Sequence, residues 1–174
     1  MATKISVNNV VNAAIYLNGN SFLGRAEEVK LPEITAIMKE HKALGMVGKF
    51  ELPAGFDKME GEIKWNSFYE DAMRVQGDIF TYHSIQCRSN VETYSSPGRF
   101  RQVPLVTFLT IQFKGSPLGE FKQHEGVGLT AKFSCTYIKQ VLAGQEKLEL
   151  DVLANIYKVD GVDLLADYRA NIGS

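Results

Sequence analysis

Between residues 129 and 141 the odd positions are Leu129, Ala131, Phe133, Cys135, Tyr137, Lys139 and Val141, all apolar but one. The even positions are Thr130, Lys132, Ser134, Thr136, Ile138 and Gln140. Strict alternation over this length is the signature of a strand with one wet and one buried face. A run of fourteen residues, such as 146 to 159, reaches on the order of 46 Å at about 3.3 Å each, more than one small closed barrel needs. Long antiparallel strands in a single domain leave open edges, and an uncovered edge is a template for pairing with another chain.

The same pattern recurs along the chain. Residues 146 to 159 place Leu148, Leu150, Val152, Ala154 and Ile156 on one face, and Ala143, Gly144 and Gln145 form the turn of a hairpin with the preceding strand. Residues 103 to 114 set Leu105, Leu109, Ile111 and Phe113 against Val106 and Phe108, so the first half of this strand reads as buried on both faces. Asn18 and Gly19 supply the positive φ angles of a tight turn between residues 13 to 17 and 21 to 29. Further alternating runs cover 33 to 39, 58 to 65 and 78 to 88. Two helices interrupt them. The first opens on a Ser67-x-x-Glu70 capping box, buries Phe68, Ala72 and Val75, and closes at Gly77. The second takes Asp163 as N-cap, presents Leu164, Leu165, Tyr168 and Ile172 on one side to plug an open end or edge of the sheets, and stops at Gly173.

The expected fold is therefore mainly β with two short α-helices, one domain over residues 1 to 174. With 45% hydrophobic and 22% charged residues, such a chain supports its own core. Residues 40 to 57 depart from the pattern. Gly45, Gly48, Pro53 and Gly55 break regular structure, yet Leu44, Met46, Val47, Phe50, Leu52 and Phe56 are apolar. A loop of this length is usually functional, so the segment reads as a protruding arm that docks on a neighbour.

Several chemistries are disfavoured. A net charge of −1 provides no cationic field to grip nucleic acid. No signal-peptide core or membrane-spanning run can be drawn. Cys87 and Cys135 stand far apart without a CxxC pair and read as reduced core thiols, and His41, His83 and His124 lack partners at metal-ligand spacing. Gly126-Val127-Gly128 precedes a strand, so the helix N-terminus of a phosphate loop is missing. No GxSxG elbow is present. These readings imply no catalytic residue, metal or cofactor. A small-ligand carrier built on a closed barrel is the competing class.

The chain resembles the major tail tube proteins of contractile-tailed phages and R-type pyocins. The likeness is carried by Tyr16-Leu17-Asn18-Gly19, Val29-Lys30-Leu31-Pro32-Glu33 and Gly45-Met46-Val47-Gly48. It continues in the hairpin from Tyr137 to Asp151, in Val159-Asp160-Gly161-Val162-Asp163 and in Arg169-Ala170-Asn171-Ile172-Gly173. Residues 78 to 125 carry no matching motif. The resemblance implies a β-sandwich or barrel-like subunit in a hexameric ring, with neighbouring sheets joined into a continuous inner β-barrel. Rings would stack into a tube in the virion tail, with sheath, terminator, baseplate and tape measure proteins as partners. Genomic DNA would pass through the lumen, or the tube of a tailocin would puncture an envelope. Secretion-system tube proteins are an alternative within this structural class. The strand from Lys58 to Trp65 would belong to the inner sheet, with Glu60, Glu62 and Lys64 facing the lumen and leaving one excess negative charge per subunit.

Overall fold

The computed structural model describes residues 5–121, 123 and 127–173. Its strands are β1 (Val7–Leu17), β2 (Asn20–Ser21), β3 (Ala26–Lys30), β4 (Ala36–His41), β5 (Phe50–Phe56), β6 (Met59–Trp65), β7 (His83–Ser95), β8 (Gly98–Phe113), β9 (Leu129–Leu142), β10 (Gln145–Asp151), β11 (Ile156–Val159) and β12 (Val162–Asp163). Two helices, α1 (Glu70–Gly77) and α2 (Ala166–Ile172), complete the fold. Every ladder is antiparallel. Ten strands form one sheet in the order β12-β11-β10-β9-β8-β7-β1-β2, with β6 branching from β9 and β3 from β6, while β4 and β5 pair only with each other.

The branch at β9 arises from one extra residue. Ile111 pairs with Cys135 and Thr110 with Tyr137, so Thr136 bulges out of the ladder. Before the bulge β9 pairs with β6, and after it with β10. The Thr136 carbonyl accepts the Val152 N–H at 3.0 Å, so the irregular peptide is satisfied. A bulge also moves the alternation by one position. Leu129, Ala131, Phe133 and Cys135 are buried, but beyond the bulge it is Ile138 that faces the core and Tyr137 that does not, contrary to the uniform odd-position face expected from the sequence.

A single cluster fills the space between the two parts of the curved sheet. It joins Ile15, Leu17, Ile85, Leu109, Ile111 and Phe113 to Met59, Ile63, Trp65 and Phe133. Gly61 makes this closeness possible, because a Cβ there would lie 2.5 Å from both the Lys30 carbonyl oxygen and the Phe133 ring. Only one end of the long sheet is covered. In β8, Thr107, Leu109, Ile111 and Phe113 are buried, whereas Leu105, Val106 and Phe108 are half-buried, so its first half is not enclosed on both faces.

Other local expectations change for identifiable reasons. Helix α1 begins at Glu70, too late for Ser67 to cap it; Tyr69 is the N-cap, and Phe68 is exposed while Ala72 and Gln76 are buried. The segment from 146 to 159 is two strands, because the Asp151 carboxylate accepts the N–H groups of Leu153 and Ala154, each at 3.0 Å, and Asn155 adopts φ 53°. Asp163 does not cap α2 directly. It accepts the Leu165 N–H at 3.0 Å and pairs with Arg169 at 2.6 Å, and Gly173 ends the helix at φ 75°. Leu164, Tyr168 and Ile172 are exposed, so α2 does not plug the sheet of its own subunit. Both two-residue turns, Asn18-Gly19 and Ala143-Gly144, form with all four residues at positive φ, a conformation that Asn18, Gly19 and Gly144 adopt readily and Ala143 only at a steric cost.

Gly61→Ala should lower stability by about 1–3 kcal/mol, since the added methyl has no free volume and both neighbours are fixed by sheet packing. Urea unfolding at neutral pH measures this; a midpoint equal to wild type would show that the two layers can separate without penalty.

Candidate functional site

Three surfaces of the subunit carry more than a monomer needs. The first is the uncovered end of the sheet. Strand β2 pairs with only Tyr16 and Leu17, so the outer edge of β1 from Val7 to Ala14 has no ladder partner among the described residues. That edge reads Val-Asn-Asn-Val-Val-Asn-Ala-Ala, without a charge or proline to block pairing. Val7, Val10, Val11 and Phe100 are exposed on this part of the sheet.

The second is the segment read from the sequence as an irregular arm. It is a hairpin: His41 pairs with Phe50, Lys39 with Leu52 and Ala36 with Phe56, around a loop from 42 to 49. Leu44, Met46, Val47, Phe50 and Leu52 are exposed, the tip residues Leu44 and Val47 completely. Phe56 behaves differently. It packs on the main core and lies 4.8 Å from the Tyr157 ring, fixing the base of the hairpin. An isolated two-stranded ribbon is marginal in water, so the exposed apolar tip is a surface that gains from being covered.

The third is the outer face of β6. Met59, Gly61, Ile63 and Trp65 point inward and are buried, which leaves Glu60, Glu62 and Lys64 on the opposite face. Neighbouring strands change its charge. Glu62 sits opposite Lys132 and Lys30, and Lys64 opposite Glu28. Lys64 also pairs with Glu27 at 3.0 Å, and Glu60 with Lys58 at 2.9 Å and with Lys114. The hydrogen bonds from Lys114 and Lys58 hold the Glu60 carboxyl down at about 2. Four carboxylates (Glu27, Glu28, Glu60, Glu62) thus meet five ammonium groups (Lys30, Lys58, Lys64, Lys114, Lys132), so the strand's own excess of negative charge does not extend to the face.

A further polar cluster lies across β9, β10 and β11. Register sets Lys139 against Glu149 and Glu149 against Lys158. Glu149 is 8% exposed; it accepts hydrogen bonds from Lys158 at 2.7 Å and Tyr137 at 3.0 Å, and Lys139 binds Glu146 at 2.5 Å. Burial pushes the Glu149 carboxyl up, but the donors from Lys158 and Tyr137 outweigh it and leave it below its ordinary value. Burial and Glu149 together raise the Tyr137 phenol. Counted from the Ala143-Gly144 turn, Lys139 would fall opposite Leu148; a register shift at Lys147 moves it onto Glu149, so reading the sequence face by face missed this cluster.

Little here suggests solution chemistry. Among the described residues no group of three or more His, Cys, Asp or Glu side chains is placed to hold a metal. No described helix is long and apolar enough to cross a membrane. Cys87 and Cys135 are buried free thiols, each raised to about 11 by desolvation. His83 is buried on β7, where its Nδ1 lies 3.1 Å from the Asn18 amide. His124, Glu125 and Gly126 lie outside the described residues. The sheet path ends at β12 and β2 without closing, which disfavours a ligand-carrying barrel.

Residues 7–173 match the family model described as phage tail tube protein FII. The chain belongs to this family. A tail tube protein of Escherichia phage P2 is 27% identical over 175 residues, spanning 99% of this chain and 98% of that protein. Two solved structures of an extracellular contractile injection system, PVC, share the fold at lower identity. The sheath/tube terminator is 7% identical with a TM-score of 0.54, covering 74% of this chain and 92% of its own. A chain of the sheath-tube complex is 9% identical with a TM-score of 0.51, covering 74% and 87%. The protein is thus a structural component of a phage tail tube, located in the virion tail.

Within this tail tube subunit, Glu149→Gln should cost about 1–3 kcal/mol at pH 7, because it weakens hydrogen bonds that gain strength from charge. The folded-state carboxyl titrates below 4.5, so its contribution is complete above that value and is lost as pH falls through the depressed pKa. Unfolding midpoints of wild type and variant should therefore converge in acid. A gap that stays constant from pH 7 to pH 3 would exclude the ionised network as its source.

Proposed function

We propose that the whole chain, residues 1 to 174, acts as one tube domain that closes into homo-hexameric rings, and that these stack into the conduit of a contractile tail. The observation that carries this is the free, uncharged β1 edge on a sheet whose strands run past the core: it can be satisfied by a neighbour's strand, extending the sheet around a pore. The arm around residues 40 to 57, with Leu44, Met46, Val47, Phe50 and Leu52 exposed and Phe56 at its base, contacts the next ring. Sheath surrounds the tube, as the names of the similar injection-system structures suggest, and a terminator, baseplate and tape measure protein complete the partners. The role is mechanical, without catalysis or cofactor.

Glu60, Glu62 and Lys64 line the lumen in this reading. DNA passes without specific binding because the wall is charge-compensated: a strongly basic wall would release counterions and hold the duplex across many phosphates. Glu60→Lys with Glu62→Lys makes that wall basic, and should leave tube assembly intact while slowing genome ejection, most at low salt. Normal ejection with impaired sheath attachment would place this face outside.

Assembly itself is tested by negative-stain electron microscopy over a concentration series, where rings and then tubes are expected. A monomer at every concentration overturns the proposal. Replacing Leu44, Met46 and Phe50 with Ser should shorten tubes while circular dichroism stays unchanged, since the lost apolar area lies between chains. Loss of the subunit's fold would assign these side chains to its own core.

A further inference from the structure

The exposed hairpin tip needs an acceptor, and the same chain offers several clefts. The tip loop, residues 42 to 49, is Lys-Ala-Leu-Gly-Met-Val-Gly-Lys, apolar with a cation at each end and no acid. Lys49 is held by Glu40 at 3.0 Å, and Lys42 makes no ion pair among the described residues. The cleft by the uncovered sheet end contains Arg101 and Lys147, which repel such a tip. The cleft along α1 balances Glu70 and Asp71 with Arg25 and Arg74. A third groove differs from both.

It lies between the hairpin base and α2, with a volume of about 490 Å³, and its lining includes Phe56, Leu150, Val152, Leu165 and Tyr168. Asp151 is the one charged residue in that lining, and it also lines the adjoining cleft beside Leu153. Val152, Leu153 and Tyr168 are exposed there. Apolar walls and a single carboxylate complement an aliphatic tip bearing lysines.

We propose that the hairpin tip of one subunit docks in the Asp151–Tyr168 groove of a second copy of this chain. Leu44 and Val47 enter the apolar part and Lys42 faces Asp151. Tip and groove are different patches at opposite ends of one hairpin, so in a stack of rings the contact is heterologous: each subunit gives a tip to one ring and receives one from another, and the pairing repeats from ring to ring. The groove also gives α2 a role, because Tyr168, which it leaves exposed in one subunit, is covered by the next. The assignment rests on the reading of residues 40 to 57 as an inter-ring arm and adds its receptor.

Tubes assembled from a mixture of Val47→Cys chains and size-tagged Tyr168→Cys chains test it with a short bismaleimide. The buried native thiols leave the engineered pair as the reactive one. A mixed dimer between the two chains is expected. Cross-linking of Val47→Cys to Val10→Cys or Phe121→Cys chains instead would overturn the groove. As a second measurement, Lys42→Glu should raise the critical concentration for tubes about 2- to 5-fold, the scale of exposed charge pairs. Asp151→Asn, which keeps the oxygen that holds the 152–155 turn, should relieve most of that increase. No relief overturns the lysine–carboxylate contact. Tubes shortened by the Ser variant of the tip, with no mixed dimer, sink the groove alone; tubes unaffected by that variant sink the arm as well.

Discussion

The bulge at Thr136 is the constraint on which the rest of the architecture depends. By spending one residue outside the ladder, β9 changes partner from β6 to β10 and turns its apolar side chains from odd to even positions. A bulge bends the strand that carries it and increases its local twist. Phe133 and Ile63 join Leu109 and Ile85 in one buried cluster, with the Phe133 ring and the Lys30 carbonyl packed tightly on Gly61. A bulge couples bending to pairing, so one local irregularity fixes where the sheet folds over and where it projects.

Projection is what makes the subunit incomplete. A ten-stranded sheet that buries only part of its length must present the remainder to water or to other chains. The exposed side chains at its free end, at the hairpin tip and on α2 are Val10, Phe100, Leu44, Val47, Tyr168 and Ile172. Such residues scattered singly need no explanation, but here they gather on edges and protrusions. The family to which the chain belongs supplies the setting in which those surfaces are used.

Much of this was legible in the sequence because period-two alternation and turn chemistry are local. Asn18-Gly19 marked a turn at positive φ, Ala143 and Gly144 fell in the turn of the later hairpin, and Lys58 to Trp65 divided into an apolar and a charged face as written. What escaped reading was nonlocal. The face change after Thr136 depends on the partner strands, since Ile138 looks like a lone exception until β10 is placed beside it. The pairing of 36–41 with 50–56 was hidden by Pro53 and Gly55, which an unshared edge strand tolerates. The division at residues 152 to 155 had a signal in Asp151 and Asn155, but the apolar alternation running through them outweighed it. Glu60 and Glu62 looked like an acidic stripe because, apart from Lys58, their lysine partners come from three other segments of chain.

That cross-strand matching means the β6 face hardly responds to its surroundings. Each of its carboxylates stands beside an ammonium group, and the described residues place no histidine among them. Matched charges a few ångströms apart largely cancel beyond that distance, so the field this face projects changes less with the surrounding salt than that of an unmatched stripe would. A surface of this kind leaves dissolved ions little long-range field to screen.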